Sequence, residues 1–287
     1  MPSVVKIGVL KAGCIGTLPL LEVMLDERAD RADIDVRVIG SGAKLGPEQC
    51  REVAEQMIRL KPDLVILIGP AQAAPGPSEA RRILSEAGLP TIVISDLPAK
   101  KLTGEIEKAG MGYIIVEADS MIGARREFLD PTEMVLFNSD VIRVLAATGA
   151  FNLVVEAIDR AIEALKRGEA PELPRLVIDG AKAVEAAGFL NPYAGAKALA
   201  AYEMARQVSR ITTAACFKTQ DPKVYIPMVA AAHELMREAA KLADEAREIE
   251  KGQDQVLRRP HFKDGSAGTK RRLMEKPARE TLRGAGL

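Results

Sequence analysis

Lys6-Ile-Gly-Val-Leu-Lys-Ala-Gly-Cys-Ile-Gly-Thr17 decides the fold class of this chain. The apolar run from Val4 to Leu10 reads as a buried strand. A tight glycine turn follows, and Thr17 opens a helix. That is the first unit of a nucleotide-type binding fold, with one departure. A dinucleotide fingerprint requires G-x-G-x-x-G, so that backbone can approach a pyrophosphate. Here the register is Lys11-Ala-Gly13-Cys-Ile-Gly16, and Lys11 stands at the first glycine position. The second apolar run, Asp35 to Ile39, ends in Gly40-Ser41-Gly42. It lacks the acidic residue that would hold an adenosine ribose. The sequence suits a phosphate-bearing ligand while missing both marks of a nicotinamide dinucleotide site.

Outward from this unit the alternation continues. Apolar runs at Leu64–Ile68, Thr91–Ser95 and Tyr113–Val116 are separated by amphipathic segments near Thr17–Asp26, Pro47–Leu60, Ser78–Ala87 and Lys101–Ala109. Continuous apolar strands joined by helices predict an α/β, Rossmann-like parallel sheet covered on both faces. Ligands bind such sheets beyond the carboxyl ends of the strands. The functional loops are therefore expected at Lys11–Thr17, Gly40–Gly46, Gly69–Pro77, Asp96–Ala99 and Glu117–Asp130. The Gly69–Pro77 loop, with three prolines and few functional side chains, reads either as a rigid wall for a flat ligand or as an ordinary connection.

After Asp130 the pattern becomes helical. Pro131 to Thr148 and Phe151 to Arg167 read as helices with a bend at Gly149. Gly168–Pro174 reads as a linker, and Asn191-Pro192 and Asp221-Pro222 as helix starts. Ile211 to Phe217 reads as a short additional strand. The expected division is an α/β coenzyme-binding domain over 1–118, an active-site loop, helical bundle and short strand over 119–251, and a C-terminal tail or arm over 252–287.

With 47% hydrophobic residues in 287, the chain can bury a proper core. Forty basic and forty acidic side chains cancel, so no global field draws nucleic acid or an anionic membrane. The absence of Trp and the scarcity of other aromatics argue against a base-stacking surface. Met1 leads directly into a strand, so no secretory signal is expected. No uninterrupted apolar stretch reaches the roughly 18 residues of a membrane span; the best candidate, Val141 to Val155, contains Arg143 and Asn152. Cys14, Cys50 and Cys216 form no metal or redox spacing, which suggests a reducing, cytoplasmic setting. Cys14 reads as a turn filler. His233 and His261 are the only histidines; both read as packed or peripheral, and no metal site is expected.

The usual catalytic motifs are missing. What remains is the loop Glu117–Asp130, in which Arg125 and Arg126 lie beside Asp119, Glu127 and Asp130. Such a set either clamps phosphate or carboxylate groups or forms an interface ion-pair network.

Several blocks of this chain resemble the coenzyme F-420-dependent methylenetetrahydromethanopterin dehydrogenases of archaea. They are Leu25–Arg31, Val38–Lys44, Ala73–Pro77, Gly112–Val116, Asp119–Pro131, Ala183–Phe189, Asn191–Ala194, Asp221-Pro222, Tyr225–Pro227 and Ala232–Glu234, in order along the chain. Cys14 departs from an expected Asn, and Gly69-Pro-Ala-Gln72 from an expected Ser-Pro-Asn-Pro. The resemblance implies reversible hydride transfer from methylenetetrahydromethanopterin to coenzyme F-420, a deazaflavin cosubstrate, without metal or NAD(P). It implies a homo-oligomer, a hexamer built as a trimer of dimers. It also implies site roles. Lys11, Gly13, Gly16, Thr17, Ser41, Gly42 and Lys44 would line the coenzyme and its anionic tail, with Pro70 and Asp96 at the ring edge. Arg125, Arg126 and Glu127 would hold polar groups of the pterin substrate or of the coenzyme tail. Asp140, and again Glu127, would face the cationic product, and no single side chain would be indispensable. Two rivals stand beside this reading: an NAD(P)-dependent dehydrogenase of a folate-like carrier, and a non-catalytic small-ligand sensor.

Overall fold

A computed structural model describes residues 4–26, 30–120 and 130–280. The alternating half forms β1 (Val5–Lys11), α1 (Thr17–Asp26), β2 (Ile34–Gly40), α2 (Pro47–Leu60), β3 (Leu64–Ile68), α3 (Pro75–Glu86) and β4 (Thr91–Asp96). A 3₁₀ turn (Leu97–Leu102), α4 (Thr103–Lys108) and β5 (Gly112–Val116) complete it. Then come α5 (Pro131–Ala147), α6 (Ala150–Lys166), β6 (Arg175–Ile178), α7 (Gly180–Ala187), α8 (Pro192–Phe217) and α9 (Pro222–Gly252). A two-stranded ribbon, β7 (Gly268–Thr269) with β8 (Ala278–Arg279), follows.

Six parallel strands form one sheet in the order β2-β1-β3-β4-β5-β6. Every residue of β3, β4 and β5 is buried, as strands covered on both faces must be. The period of two sorts their side chains. Val5, Ile7, Val9, Leu64, Ile66, Ile68, Ile92, Ile94, Ile114 and Val116 join the core shared with α1, α5, α6, α8 and α9. Leu10, Val65, Leu67, Val93, Tyr113 and Ile115 face α2, α3 and α4. The strand order reverses between β1 and β3, so the loops after them diverge and leave a crevice at the carboxyl edge.

The helix starts follow from their caps. Asp130, Asn191 and Asp221 each accept a backbone N–H from the first turn, ahead of Pro131, Pro192 and Pro222. Gly149, at φ +95°, lets α6 leave α5 at 68°; a Cβ there would meet the Ala183 carbonyl at 2.1 Å.

Two expectations need correction. Ile211 to Phe217 is not a strand but the last two turns of α8. Its β-branched composition suggested extension, yet Val208, Thr212 and Ala215 continue the buried helical stripe. The Thr212 and Thr213 hydroxyls donate to the Val208 and Ser209 carbonyls. The additional strand is instead β6, which pairs with β5 from Tyr113↔Arg175 to Val116↔Ile178. The sheet thus draws its last strand from beyond residue 118.

Residues 253–280 fold back on their own chain. Ala32 N–H donates to the Lys263 carbonyl at 2.8 Å, and His261 Nε2 lies 2.7 Å from Asp159. Asp159 also meets the buried Arg31, whose guanidinium holds Asp33 at 2.9 Å. Lys166 joins through Asp33 and the Asp264 carbonyl. Among the described residues no single helix is long and apolar enough to cross a membrane.

Candidate active site

The loops after β1, β2, β3, β4 and β5 meet at the carboxyl edge of the sheet, where the sequence places them. Ser41 joins the first two. Its backbone N–H donates to the Lys11 carbonyl at 3.0 Å, and its hydroxyl donates to the Lys44 carbonyl at 2.7 Å. Lys11 ends β1, Gly42 faces open space, and Lys44 is exposed. These are free to meet a ligand.

The third loop is braced from within. The Gly69 carbonyl accepts the Ser95 hydroxyl at 2.7 Å and the Gln72 amide at 3.0 Å. Arg81, buried on α3, donates to the Gln72 carbonyl at 2.6 Å and its side-chain oxygen at 2.8 Å. Pro70 is buried beside Gly13, and Ala71 sits at φ +52°. The loop is a fixed wall.

The fourth and fifth loops carry the electrostatics. Asp96, the last residue of β4, is 3% exposed, with Ser95 Oγ 3.1 Å from its carboxyl. Burial, and then the charge of Asp119, push its pKa up to about 7. Asp119 is fully buried, three residues beyond β5. Its Oδ1 accepts the Gly16 N–H at 2.7 Å. Its Oδ2 accepts the Thr17 N–H at 2.8 Å and the Thr17 hydroxyl at 2.5 Å. Burial lifts its pKa to about 6 against the pull of those donors. Glu117 is buried between Lys100 at 2.7 Å and Arg206 at 3.5 Å, which ties the 3₁₀ turn to α8. The Ser120 hydroxyl and Asn138 Oδ1 are buried with no protein partner among the described residues. Buried polar atoms of this kind ordinarily have partners.

The structure therefore brings Lys11, Gly13, Gly16, Thr17, Ser41, Gly42, Lys44, Pro70 and Asp96 to one edge. It also changes the chemistry expected of two of them. The N–H groups of Gly16 and Thr17 already serve Asp119, so they are not open to an external anion. Asp140 lies on α5, 3.2 Å from Arg143. Burial raises its pKa, and its charged neighbours, Arg143, Arg237, Asp244 and Glu133, belong to α5 and α9. The adjacent Val141 packs against Gly16. Arg125, Arg126 and Glu127 lie outside the described residues.

His233 stacks on Phe137 with centroids 4.3 Å apart, and burial lowers its pKa. His233 packs as the sequence suggested, whereas His261, read as part of a tail, is held against Asp159. Among the described residues no group of three or more His, Cys, Asp or Glu is placed to hold a metal ion. Glu117, Ser120 and the Gln72–Arg81 pair stand at the same edge, and the sequence reading did not single them out. The available signal was a polar run following directly on a fully apolar strand.

Residues 5–278 match the family profile described as methylene-5,6,7,8-tetrahydromethanopterin dehydrogenase. The chain is 59% identical over 274 residues to the F-420-dependent methylenetetrahydromethanopterin dehydrogenase of Archaeoglobus fulgidus. It is 57% identical to that of Methanothermobacter marburgensis and 56% identical to that of Methanocaldococcus jannaschii. In each case 96% of this chain and 99% of the relative are covered. A solved F-420-dependent methylene-tetrahydromethanopterin dehydrogenase, in complex with methylene-tetrahydromethanopterin and coenzyme F-420, superposes with a TM-score of 0.92 at 47% identity. That likeness covers 96% of this chain and 100% of the solved one.

Proposed function

The chain belongs to the methylenetetrahydromethanopterin dehydrogenase family, and from that membership we propose how its own residues perform the reaction. It is an oxidoreductase of methanogenic one-carbon chemistry that transfers a hydride reversibly between methylenetetrahydromethanopterin and coenzyme F-420. The observation that carries this is the near-full-length likeness to an enzyme solved with both ligands.

When bound, the deazaflavin supplies the hydride acceptor and the pterin the donor carbon, whose product is a resonance-stabilised cation. The protein's task is therefore to hold two flat ligands face to face and keep water out. The braced Gly69–Pro77 wall and buried Pro70 give one face of the coenzyme a rigid support. Lys11, Lys44, Ser41 and Gly42 hold its anionic tail from the first two loops. Asp96 and the Ser120 hydroxyl, which has no partner among the described residues, offer hydrogen bonds to the ring edge. Arg125, Arg126 and Glu127 hold polar groups of the pterin. Asp140 and Glu127 supply negative charge toward the cation. The reaction runs without a metal or NAD(P), and with no indispensable side chain.

The working form is a cytoplasmic homo-oligomer, a hexamer assembled as a trimer of dimers, without nucleic-acid or membrane partners. Exposed Tyr193, Phe217 and Val224 on α8 and α9 are apolar surface suited to contacts between copies.

Anaerobic mixing of the protein with both ligands tests the reaction. Bleaching of the deazaflavin's visible band should require both ligands, and NAD(P) should not replace the coenzyme. A folded protein that gives no bleaching refutes the reading. Arg125→Ala and Arg126→Ala should each raise the pterin KM about tenfold or more, as expected for lost charge-assisted contacts. Unchanged Michaelis constants for both ligands leave only the ion-pair network.

A further inference from the structure

We infer that Asp119 is a specificity-determining and positioning residue. Its carboxylate fills the N-terminus of α1 in place of a ligand phosphate, so that the coenzyme loop is fixed and nucleotide phosphates are refused there. The inference rests on the proposed preference for a deazaflavin over a nicotinamide.

A helix N-terminus presents unpaired N–H groups and positive potential, and in dinucleotide enzymes this end receives the pyrophosphate. Here the same donors are used internally. Both oxygens of Asp119 are engaged, one by the Gly16 N–H and one by the Thr17 N–H and hydroxyl, at 2.5–2.8 Å. The acceptor comes from more than a hundred residues along the chain, on the stretch leaving β5, and is fully buried.

The turn itself admits no side chain at Gly16. A Cβ added to Gly16 would lie 2.4 Å from Val141 Cγ1 and 3.1 Å from Asp119 Oδ1. A phosphate approaching α1 would meet a carboxylate charge instead of open donors. The missing acidic residue after β2 and the occupied α1 terminus are independent obstacles to a dinucleotide. The same three bonds pin Gly16 and Thr17 to the end of β5. The loop from Lys11 to Gly16 is therefore held in shape before any ligand arrives, and its pre-organisation aids coenzyme binding.

The test compares the wild-type protein with Asp119→Ser, which empties the cradle, and Asp119→Asn, which keeps it filled but removes the charge and one of its two N–H acceptors. Inorganic pyrophosphate is titrated calorimetrically into each folded protein. Steady-state constants are then measured for both ligands. Asp119→Ser should bind pyrophosphate about tenfold or more tighter than wild type, because two N–H donors and a hydroxyl become available to an anion. Asp119→Asn should raise the coenzyme KM about tenfold while kcat and the pterin KM stay within about threefold, the pattern of a lost binding contribution.

A folded Asp119→Ser protein that binds pyrophosphate no tighter than wild type overturns the refusal of phosphates. If that variant does not fold, Asp119→Asn decides, and an unchanged coenzyme KM overturns the positioning role. An equal rise of both KM values with a fall in kcat overturns it as well. Wild type that fails to reduce coenzyme F-420 sinks the functional reading instead, and the pyrophosphate comparison still judges Asp119.

Discussion

Asp96 shows what burial at a strand end does to a single carboxyl. Its pKa in the folded protein is raised to about 7, so the native state binds this proton more tightly than the unfolded chain. The stability gained is complete below the ordinary carboxylate range and is lost as pH rises through about 7. Asp96→Asn removes that dependence. Relative to wild type, the variant should gain up to about 4 kcal/mol between pH 4 and pH 8, the free energy of a three-unit shift. Urea unfolding at both pH values measures it, and parallel curves for the two proteins would refute it. Asp96 was legible as a site residue because it ends an apolar run. Its protonation was not, because that depends first on burial under the assembled loops and then on Asp119, a neighbour only through the pairing of β4 with β5. The occupation of Gly16 and Thr17 was hidden for the same reason: no local pattern announces a partner that far along the chain.

Among the elements, strands buried on both faces and helices with Asp-Pro or Asn-Pro starts were read correctly, because their signals are local. The failures are the two short segments whose local signal conflicts with their surroundings. β6 offers four residues, Arg175-Leu-Val-Ile178, too few to show a period, and only the edge of β5 makes them a strand. Ile211-Thr212-Thr213 looks extended, yet it packs as helix and returns its hydroxyls to the backbone. The wall after β3 carries a different conflict. Ala71 adopts φ +52°, a region unfavourable to alanine and tolerated by asparagine. Ala71→Asn is expected to stabilise the protein by about 0.5–1 kcal/mol, seen as a higher midpoint in urea at constant slope. A lower midpoint would mean that Ala71 packs more tightly than its backbone angle suggests.

Over the whole molecule, the segment after Gly252 closes an ionic network rather than trailing from the surface. Arg31, Asp33, Asp159 and His261 join the approach to β2, α6 and the tail in a largely buried cluster. A chain ending at Gly252 leaves Asp159 without its histidine and strips the cover from Arg31. It should lose about 3–5 kcal/mol of stability, as when one partner of a buried ion pair is removed. Thermal melts of the shortened and full chains test this, and equal midpoints would show the tail to be dispensable. The placement of β6 reaches further, to the order in which the chain can fold as it leaves the ribosome. Strand β5 is complete at Val116, but its outer neighbour starts at Arg175, about sixty residues and several seconds of synthesis later. For that interval the apolar edge of β5 is unpaired, an exposed strand edge of the kind that seeds aggregation. A polypeptide released at residue 150 is therefore expected to precipitate, whereas one released beyond α7 should remain in the supernatant. Expression of nested fragments followed by centrifugation would separate the two, and a soluble 1–150 fragment would show that α5 alone can shield the edge.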